Sequence, residues 1–309
     1  MITLARVTLT APPGLLLVHA HPDDETLWTG GTIARYAARG VQVTVVTCTL
    51  GEEGEVIPEG LRGLAADQAD QLGGYRVGEL RSACAALRVA DHRFLGGIGR
   101  WRDSGMLWEE PGRAGALPSA HPRAFAVGDR AAQVAELVEV LREVRPQVVV
   151  TYAADGGYGH PDHVRAHEIT MAAAEQVPDV LRVFHTVPSR GDLEAGLEQL
   201  ATAGALPYEL PGPDDLPSVP DSQITTRIDI GEHLSAKIRA MRAHSTQIQV
   251  WLDEWNNGAG LGAYALSNGV AQPFSGTEHY VLAAGDPAGS ERDLFGGLGV
   301  SGTEPVEPR

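Results

Sequence analysis

Apolar runs alternate with segments of helical periodicity up to about residue 182, in the manner of consecutive βαβ units. This alternation predicts an α/β fold, in which a mostly parallel sheet with right-handed crossovers is flanked by helices. Gly40 and Pro146 are typical helix-ending residues and separate predicted helices from the strands that follow them. The predicted strands cover residues 15–18, 41–49 and 147–152, and the predicted helices cover residues 24–39, 79–88, 134–144 and 162–176.

The pattern weakens beyond Arg182. Five prolines between residues 207 and 220 indicate an irregular connection, followed by a predicted strand at 224–230 and a predicted helix at 235–245. We therefore predict a division near residue 185. A regular α/β domain would cover residues 1–185, and a smaller, less regular C-terminal portion would cover residues 186–309.

Composition narrows the class of protein. The 309-residue chain is 43% hydrophobic and 21% charged, which is typical of a globular protein. A net charge of −16 argues against a nucleic-acid partner, because phosphate binding requires lysine and arginine. No apolar run approaches the roughly 20 residues of a membrane span, so no membrane partner is expected. Residues 1–17 lack signal-peptide features, and Cys48 and Cys84 lie in apolar settings typical of reduced thiols, so we expect a cytoplasmic protein.

Two clusters of histidine and carboxylate residues follow predicted strands. The first, His19 to Glu25, comes directly after the strand at 15–18, and the second, Gly156 to His163, comes after the strand at 147–152. Open parallel sheets bind their ligands outside the carboxyl ends of their strands. The two clusters are therefore predicted to be two halves of one metal site.

The spacing within the clusters indicates separate roles. His21 and Asp24 lie three residues apart at a predicted helix start, so they can converge on one ion, while Asp23 points elsewhere and is free to act as a base. Either His160 or His163 could complete the ligand set, and the spacing does not choose between them. Histidine with carboxylate suits Zn²⁺, whose catalytic sites use three protein ligands and keep a position for water. Fe²⁺ accepts a similar set, which leaves the metal open.

Simpler interpretations exist for each cluster alone. Asp23 or Asp24 could cap the helix and interact with its dipole, and the run from Gly157 to Pro161 could be only a turn. His19, on the strand side, is predicted to be a packed or hydrogen-bonded histidine. The presence of both clusters at strand ends of one predicted sheet favours the metal site.

The run His21-Pro22-Asp23-Asp24, together with Gly159 to His163, resembles the PIG-L/LmbE family of zinc-dependent de-N-acetylases, which have a Rossmann-like fold. Residues 47–56, 70–76 and 99–106 are similar to the deacetylases of mycothiol biosynthesis within that family, and the resemblance extends over most of the chain. It implies a hydrolase that removes acetate from N-acetylglucosaminyl-inositol, a small neutral pseudodisaccharide. It also implies an actinobacterial origin.

Residue by residue, the resemblance implies that His21, Asp24 and His163 bind the zinc ion and that Asp23 is the general base. In this interpretation the domain at 1–185 carries the metal site, and the portion at 186–309 completes the substrate pocket. His244 and Gln247, on a predicted helix of the second portion, either border that pocket or pack.

The resemblance also implies roles around the metal. His160 would stabilise the oxyanion and assist the leaving group, Asp162 would orient His160, and Tyr158 would lie nearby. Arg76 and Asp103 match positions that hold substrate hydroxyl groups.

Two other functions remain open. A mycothiol S-conjugate amidase would cleave a bulkier amide with the same site, although the runs at 48–56 and 73–76 favour the deacetylase. A sugar-binding protein could keep the fold without catalysis, but binding alone does not require an ionisable Asp23 beside the ligands. The sequence does not indicate an oligomeric state.

Overall fold

A seven-stranded sheet forms the centre of the protein in the computed structural model, which describes residues 13–203, 205–253 and 262–299. The strands are β1 (Gly14–His19), β2 (Gln42–Thr47), β3 (Asp91–Phe94), β4 (Leu107–Glu110), β5 (Arg113–Gly115), β6 (Val148–Tyr152), β7 (Arg182–Val187), β8 (Thr226–Asp229), β9 (Gln249–Leu252), β10 (Gly262–Ala265), β11 (Gln272–Pro273) and β12 (Thr277–Gly285). The helices are α1 (Asp24–Ala38), α2 (Leu72–Leu87), α3 (Arg130–Val144), α4 (Pro161–Ala174), α5 (Arg190–Ala201) and α6 (Leu234–Ala243).

The strand order of this sheet is β3-β2-β1-β6-β7-β12-β8. The first five strands in this order, β3, β2, β1, β6 and β7, pair in parallel. Strand β12 pairs antiparallel with both β7 and β8. The prediction of a mostly parallel sheet flanked by helices is confirmed. Strands β2 and β3 follow on one side of β1, and β6 and β7 follow on the other side. The strand order therefore reverses between β1 and β6. A crevice at such a reversal is where open α/β sheets bind their ligands.

Strand β1 is buried on both faces because helices cover each side of the sheet. Leu15 and Leu17 belong to the core formed with α1, α2 and α6, whereas Leu16 and Val18 belong to the core formed with α3 and α4. Successive side chains of a strand point to opposite faces, so an unbroken apolar run supplies both cores. This double burial explains why the run at 15–18 predicts a strand so clearly.

The predicted start of α2 was wrong. Helix α2 begins at Leu72, seven residues before the predicted start at Glu79. Gly73, Gly74 and Gly78 lie in its first half, and glycine is a weak helix former that hides the helical pattern in the sequence. Tertiary contacts compensate, because Leu72 and Gly73 are buried.

The second half of the chain contributes more regular structure than its sequence pattern indicates. Strands β12 and β8 extend the central sheet, and β9 to β11 form a separate three-stranded sheet. The buried Arg182, at the start of β7, donates hydrogen bonds to four backbone carbonyls of the C-terminal segment, those of Asp286, Ala288, Leu294 and Gly296. The predicted division at residue 185 falls within β7, and it stays a prediction.

Cys48 and Cys84 are both buried free thiols. Burial raises the pKa of each thiol well above its usual range, which keeps it neutral. No helix in the described part of the chain is both long and apolar enough to cross a membrane.

A buried ion pair ties α1 to the second half of the chain. The carboxylate of Glu278 on β12 accepts hydrogen bonds from the backbone N–H groups of Gly31 (2.9 Å) and Thr32 (2.8 Å), in the middle of α1. Lys237 on α6, the only lysine of the chain, donates to Glu278 (2.7 Å) and to the carbonyl of Leu27 (2.9 Å). Helix α1, which begins at the predicted metal ligands, is thereby fixed to both α6 and β12.

The substitution Lys237→Met is expected to lower the free energy of unfolding by about 3 kcal/mol or more, because it leaves the buried Glu278 carboxylate without its cation. Denaturant titration followed by circular dichroism measures this change. Arg130→Met, which breaks the exposed pair between Arg130 and Glu168, is the matched control and is expected to cost less than about 1 kcal/mol. Equal losses in the two variants would contradict the structural role of the buried pair.

Candidate metal centre and active site

The two sequence clusters meet at the carboxyl ends of β1 and β6. The first lies in the turn between β1 and α1, and the second lies at the start of α4. His21, His160 and His163 each offer a nitrogen within 4.8 Å of the others, and His21 also forms such a group with Asp103 and Asp162. Because His21 belongs to both groups, they form one centre.

Two separations between candidate ligand atoms match those around a tetrahedral metal ion. Asp24 Oδ2 lies 3.3 Å from His21 Nδ1 and 3.3 Å from His163 Nε2. A tetrahedral ion with bonds of about 2.0–2.2 Å separates neighbouring ligand atoms by about 3.3–3.6 Å. His163 Nε2 is buried and has no hydrogen-bond partner, which a native structure rarely tolerates. A divalent cation between these three side chains would satisfy that nitrogen.

The hydrogen bonds of His160 and His163 place their protons on opposite nitrogens. His163 Nδ1 lies 3.1 Å from the carbonyl oxygen of Gly156, so Nδ1 carries the proton and Nε2 offers a lone pair. His160 Nδ1 instead accepts a hydrogen bond of 3.1 Å from the backbone N–H of Asp162, so its proton lies on Nε2. His163 is therefore prepared to bind a metal, and His160 is prepared to donate a hydrogen bond.

The backbone around these residues requires glycine at one position in particular. Gly159 has a φ of +91°, and a Cβ atom there would lie 2.3 Å from the carbonyl oxygen of Ala114. The turn that delivers His160 to the start of α4 is thus available only to glycine. Pro161 follows at the first position of α4, where its fixed φ suits the helix start.

Asp23 lies beside the metal cluster in a strained conformation. Its φ of +120° is one that non-glycine residues rarely adopt, at a typical cost of about 1–3 kcal/mol. Its backbone N–H donates to Glu25 Oε2 (2.9 Å), and its carboxylate accepts from the guanidinium of Arg76 (2.9 Å). Arg76 also donates to the carbonyls of Pro22 and Gly51. Asp23 is thus held both at its backbone and at its carboxylate.

Burial and neighbouring charges set the pKa values in the cluster. Burial raises the pKa of Asp23 to about 6, although Arg76 opposes the change. Burial also lowers the pKa of His160 well below its usual value, so this imidazole stays neutral. Burial opposes the charged form of Asp24, but the imidazoles of His163 and His21 together outweigh it and hold the pKa of this carboxyl well below its usual range. The centre therefore combines an ionised Asp24, a neutral donor and a carboxylate of raised pKa.

The structure places the remaining predicted site residues around this centre. Asp103 and Asp162 face the ring of His21, with carboxylate oxygens 3.5 and 3.3 Å from Nε2. The contact between Asp162 and His160 runs through the Asp162 backbone, so a role of the Asp162 carboxylate in orienting His160 stays a prediction. The ring of Tyr158 is half-buried and lies 5.0 Å from that of His163.

Arg76 and Asp103 are buried against residues of the centre and do not lie on an open surface. Both are buried, and each already contacts a residue of the centre, Asp23 and His21 respectively. Asp103 also accepts hydrogen bonds from the backbone N–H groups of Glu53 and Gly105. Their roles in holding substrate hydroxyl groups stay predictions.

His244 packs in the interior of the protein, and Gln247 contacts the loop at 51–56. The His244 ring is fully buried against Glu25, and Gln247 donates to the backbone carbonyl of Glu55. Sequence reasoning missed Ser104, whose backbone N–H and hydroxyl both donate to the Asp162 carboxylate. No motif connects Ser104 to Asp162, because Ser104 lies in a loop and Asp162 lies 58 residues later at the start of α4.

The chain is similar to known proteins over most of its length. The profile of the PIG-L family, GlcNAc-PI de-N-acetylase, matches residues 16–174, which is just over half of the chain. The 1D-myo-inositol 2-acetamido-2-deoxy-alpha-D-glucopyranoside deacetylase 1 of Saccharopolyspora erythraea is 78% identical over 98% of this chain and 100% of its own length. The deacetylase of the same description from Actinosynnema mirum is 66% identical over 95% of this chain and 100% of its own.

Among solved structures, the 4-carboxy-2-hydroxymuconate hydratase GalB from Pseudomonas putida KT2440 has a TM-score of 0.50 and 19% sequence identity. The alignment covers 76% of this chain and 80% of the hydratase, and it supports the fold alone. The family profile and the high-identity relatives cover both strand-end clusters. The chain therefore belongs to the PIG-L family of de-N-acetylases.

Proposed function

We propose that this protein hydrolyses the acetamide of 1D-myo-inositol 2-acetamido-2-deoxy-alpha-D-glucopyranoside, giving acetate and glucosaminyl-inositol, as in mycothiol biosynthesis. The substrate follows from the two relatives, whose full lengths align with this chain at 78% and 66% identity. The reaction type follows from one observation, which is that the separate carboxylate of Asp23 lies beside a cluster that fits a metal ion. The partner of the site is therefore a small pseudodisaccharide.

We assign His21, Asp24 and His163 as the protein ligands of the metal and propose Zn²⁺ as the ion. The unpartnered Nε2 of His163 and the two 3.3 Å separations support this set. Two imidazoles and one carboxylate are a typical ligand set of catalytic zinc. When bound, the metal polarises the amide carbonyl and lowers the pKa of water in its open position.

The remaining residues move protons and stabilise charge. Asp23 accepts the proton of the attacking water, as a carboxylate of raised pKa near the cluster can. His160 donates its Nε2–H to the oxygen on which negative charge develops. Burial holds His160 neutral, and a neutral imidazole is a poor proton source. Asp23, once protonated, therefore delivers the proton to the departing amine.

Acetate release from the pseudodisaccharide tests the proposal against its two alternatives. A deacetylase releases acetate from it with a kcat/KM well above that for cleavage of a mycothiol S-conjugate. A reversed preference would identify the amidase. Binding of the pseudodisaccharide without acetate release, by a protein with a full complement of metal, would identify a sugar-binding protein.

Alanine at His21, Asp24 or His163 is expected to remove metal and activity together while the fold is retained. His160→Ala is the matched contrast, because it removes a neighbouring imidazole that is predicted to donate rather than ligate. It should keep the metal and lose about 10²–10³-fold in kcat, a typical loss for one oxyanion donor. Metal per chain by mass spectrometry, with circular dichroism for the fold, distinguishes them. Full metal in His163→Ala would exclude this ligand.

Asp23→Asn is expected to keep the metal and lose about 10²–10⁴-fold in kcat, because an amide cannot accept the proton of water. In the unmodified protein, kcat should fall as the pH falls through the pKa of Asp23, since the protonated carboxyl is no longer a base. Burial raises that pKa to about 6, and a bound cation favours the carboxylate, so this acidic limb should lie at or below about pH 6. A kcat-pH profile with an unchanged acidic limb in the variant would assign the base elsewhere.

Arg76→Ala and Asp103→Ala are expected to lower kcat/KM for both the pseudodisaccharide and plain N-acetylglucosamine, because each residue contacts a member of the centre. We propose that each also holds a substrate hydroxyl, so the loss should be larger for the pseudodisaccharide. Metal content should be unchanged in Arg76→Ala. Equal losses on the two substrates would restrict both residues to support of Asp23 and His21.

A further inference from the structure

A histidine from the second half of the chain contacts the turn that carries the metal ligands. His244, directly after α6, lies with Nε2 2.8 Å from Glu25 Oε1, and both side chains are fully buried. The two residues are 219 positions apart in the sequence. The described residues that contact Glu25 Oε1 are His244 and the hydroxyl of Thr26, at 2.6 Å. This buried contact takes no part in the steps assigned so far.

The other oxygen of Glu25 leads directly to Asp23. Glu25 Oε2 accepts the backbone N–H of Asp23 at 2.9 Å, and Asp23 has the strained φ of +120°. Such a conformation persists only where surrounding contacts determine it. One carboxylate therefore joins the strained backbone of Asp23 to a ring that comes from the distant end of α6.

We propose that His244 is a positioning residue for the reaction: by holding Glu25, it keeps the backbone of Asp23 in the conformation that aims the Asp23 carboxylate at the attacking water. This inference rests on the proposed role of Asp23 as the base. Arg76 holds the Asp23 carboxylate from one side, and the contact through Glu25 holds its backbone from the other. Neither His244 nor Glu25 touches the substrate in this scheme.

Two amide variants test the contact directly. In His244→Gln the side-chain N–H stands the same number of bonds from Cβ as His Nε2, so it can still donate to Glu25. In His244→Asn the amide is one methylene shorter and cannot reach. Displacement of a catalytic group by about 1 Å can reduce the rate about 10²-fold. We expect His244→Asn to lose about 10- to 100-fold in kcat, with KM within about twofold and metal content unchanged. His244→Gln should retain kcat within about threefold.

Thr246→Val is the matched control for a non-specific loosening of the buried structure near His244. Thr246 lies two residues away, is equally buried, and donates to a different buried carboxylate, that of Glu79 (2.7 Å). This variant loses that hydrogen bond and the one that the Thr246 hydroxyl accepts from Gln247 (3.2 Å), without touching Glu25 or Asp23, and it should keep kcat. Glu25→Gln should reproduce the His244→Asn loss, because an amide cannot accept from both Asp23 and His244. It also serves as the test if His244→Asn does not fold.

A double substitution separates this inference from the proposed function. If His244 acts through Asp23, then His244→Asn should cause no further loss of kcat in the Asp23→Asn background. The positioning role of His244 would be overturned by any of three results. These are equal losses of kcat in His244→Gln and His244→Asn, a comparable loss of kcat in Thr246→Val, or a full additional loss of kcat in the double variant. Absence of acetate release by the unmodified protein would instead refute the proposed function. Loss of activity in Asp23→Asn with normal kcat in His244→Asn would refute the positioning role alone.

Discussion

Negative charge buried at the carboxyl ends of β1 and β6 is the constraint on which the rest of the structure depends. Asp24, Asp103 and Asp162 are buried, and each has an oxygen within 3.5 Å of a ring nitrogen of His21. Buried carboxylates need paired positive charge, because their desolvation is expensive. One imidazole cannot supply charge for three carboxylates, whereas a divalent ion beside it can. The cluster could therefore hold a cation, and the fold around it keeps these side chains together.

The backbone at the start of α4 gives two neighbouring histidines opposite properties. The carbonyl of Gly156 accepts a hydrogen bond from Nδ1–H of His163. Nδ1 of His160 accepts one from the backbone N–H of Asp162. Main-chain contacts alone thus suit His163 to the proposed role of metal ligand and His160 to that of hydrogen-bond donor. The spacing of the two histidines in the sequence could not distinguish them, because it does not indicate which backbone group each ring contacts.

Local patterns predicted the part of the fold that local contacts specify. The apolar run of β1, the helix of α1 and the cluster at 160–163 all follow from short segments, and their convergence follows from the parallel sheet. The start of α2 was hidden by Gly73 and Gly74. Strand β12 carried little signal in the sequence, because its place between β7 and β8 depends on partners that are distant in sequence. Contacts such as that of Ser104 with Asp162 have no sequence signature for the same reason.

The second half of the chain contacts α1 both at its start, beside Asp23, and in its middle. Glu25 contacts His244, and the middle of the same helix is held by Glu278 and Lys237. The similar fold of a hydratase indicates that the architecture alone does not select a reaction. The proposed metal ligands come from two short motifs. The groups that contact Asp23, directly or through Glu25, come from α2, from the first turn of α1 and from the end of α6. The conformation of Asp23, the proposed base, is thus a property of the whole tertiary structure, so a chain with intact ligand motifs could bind a metal and still be a poor hydrolase.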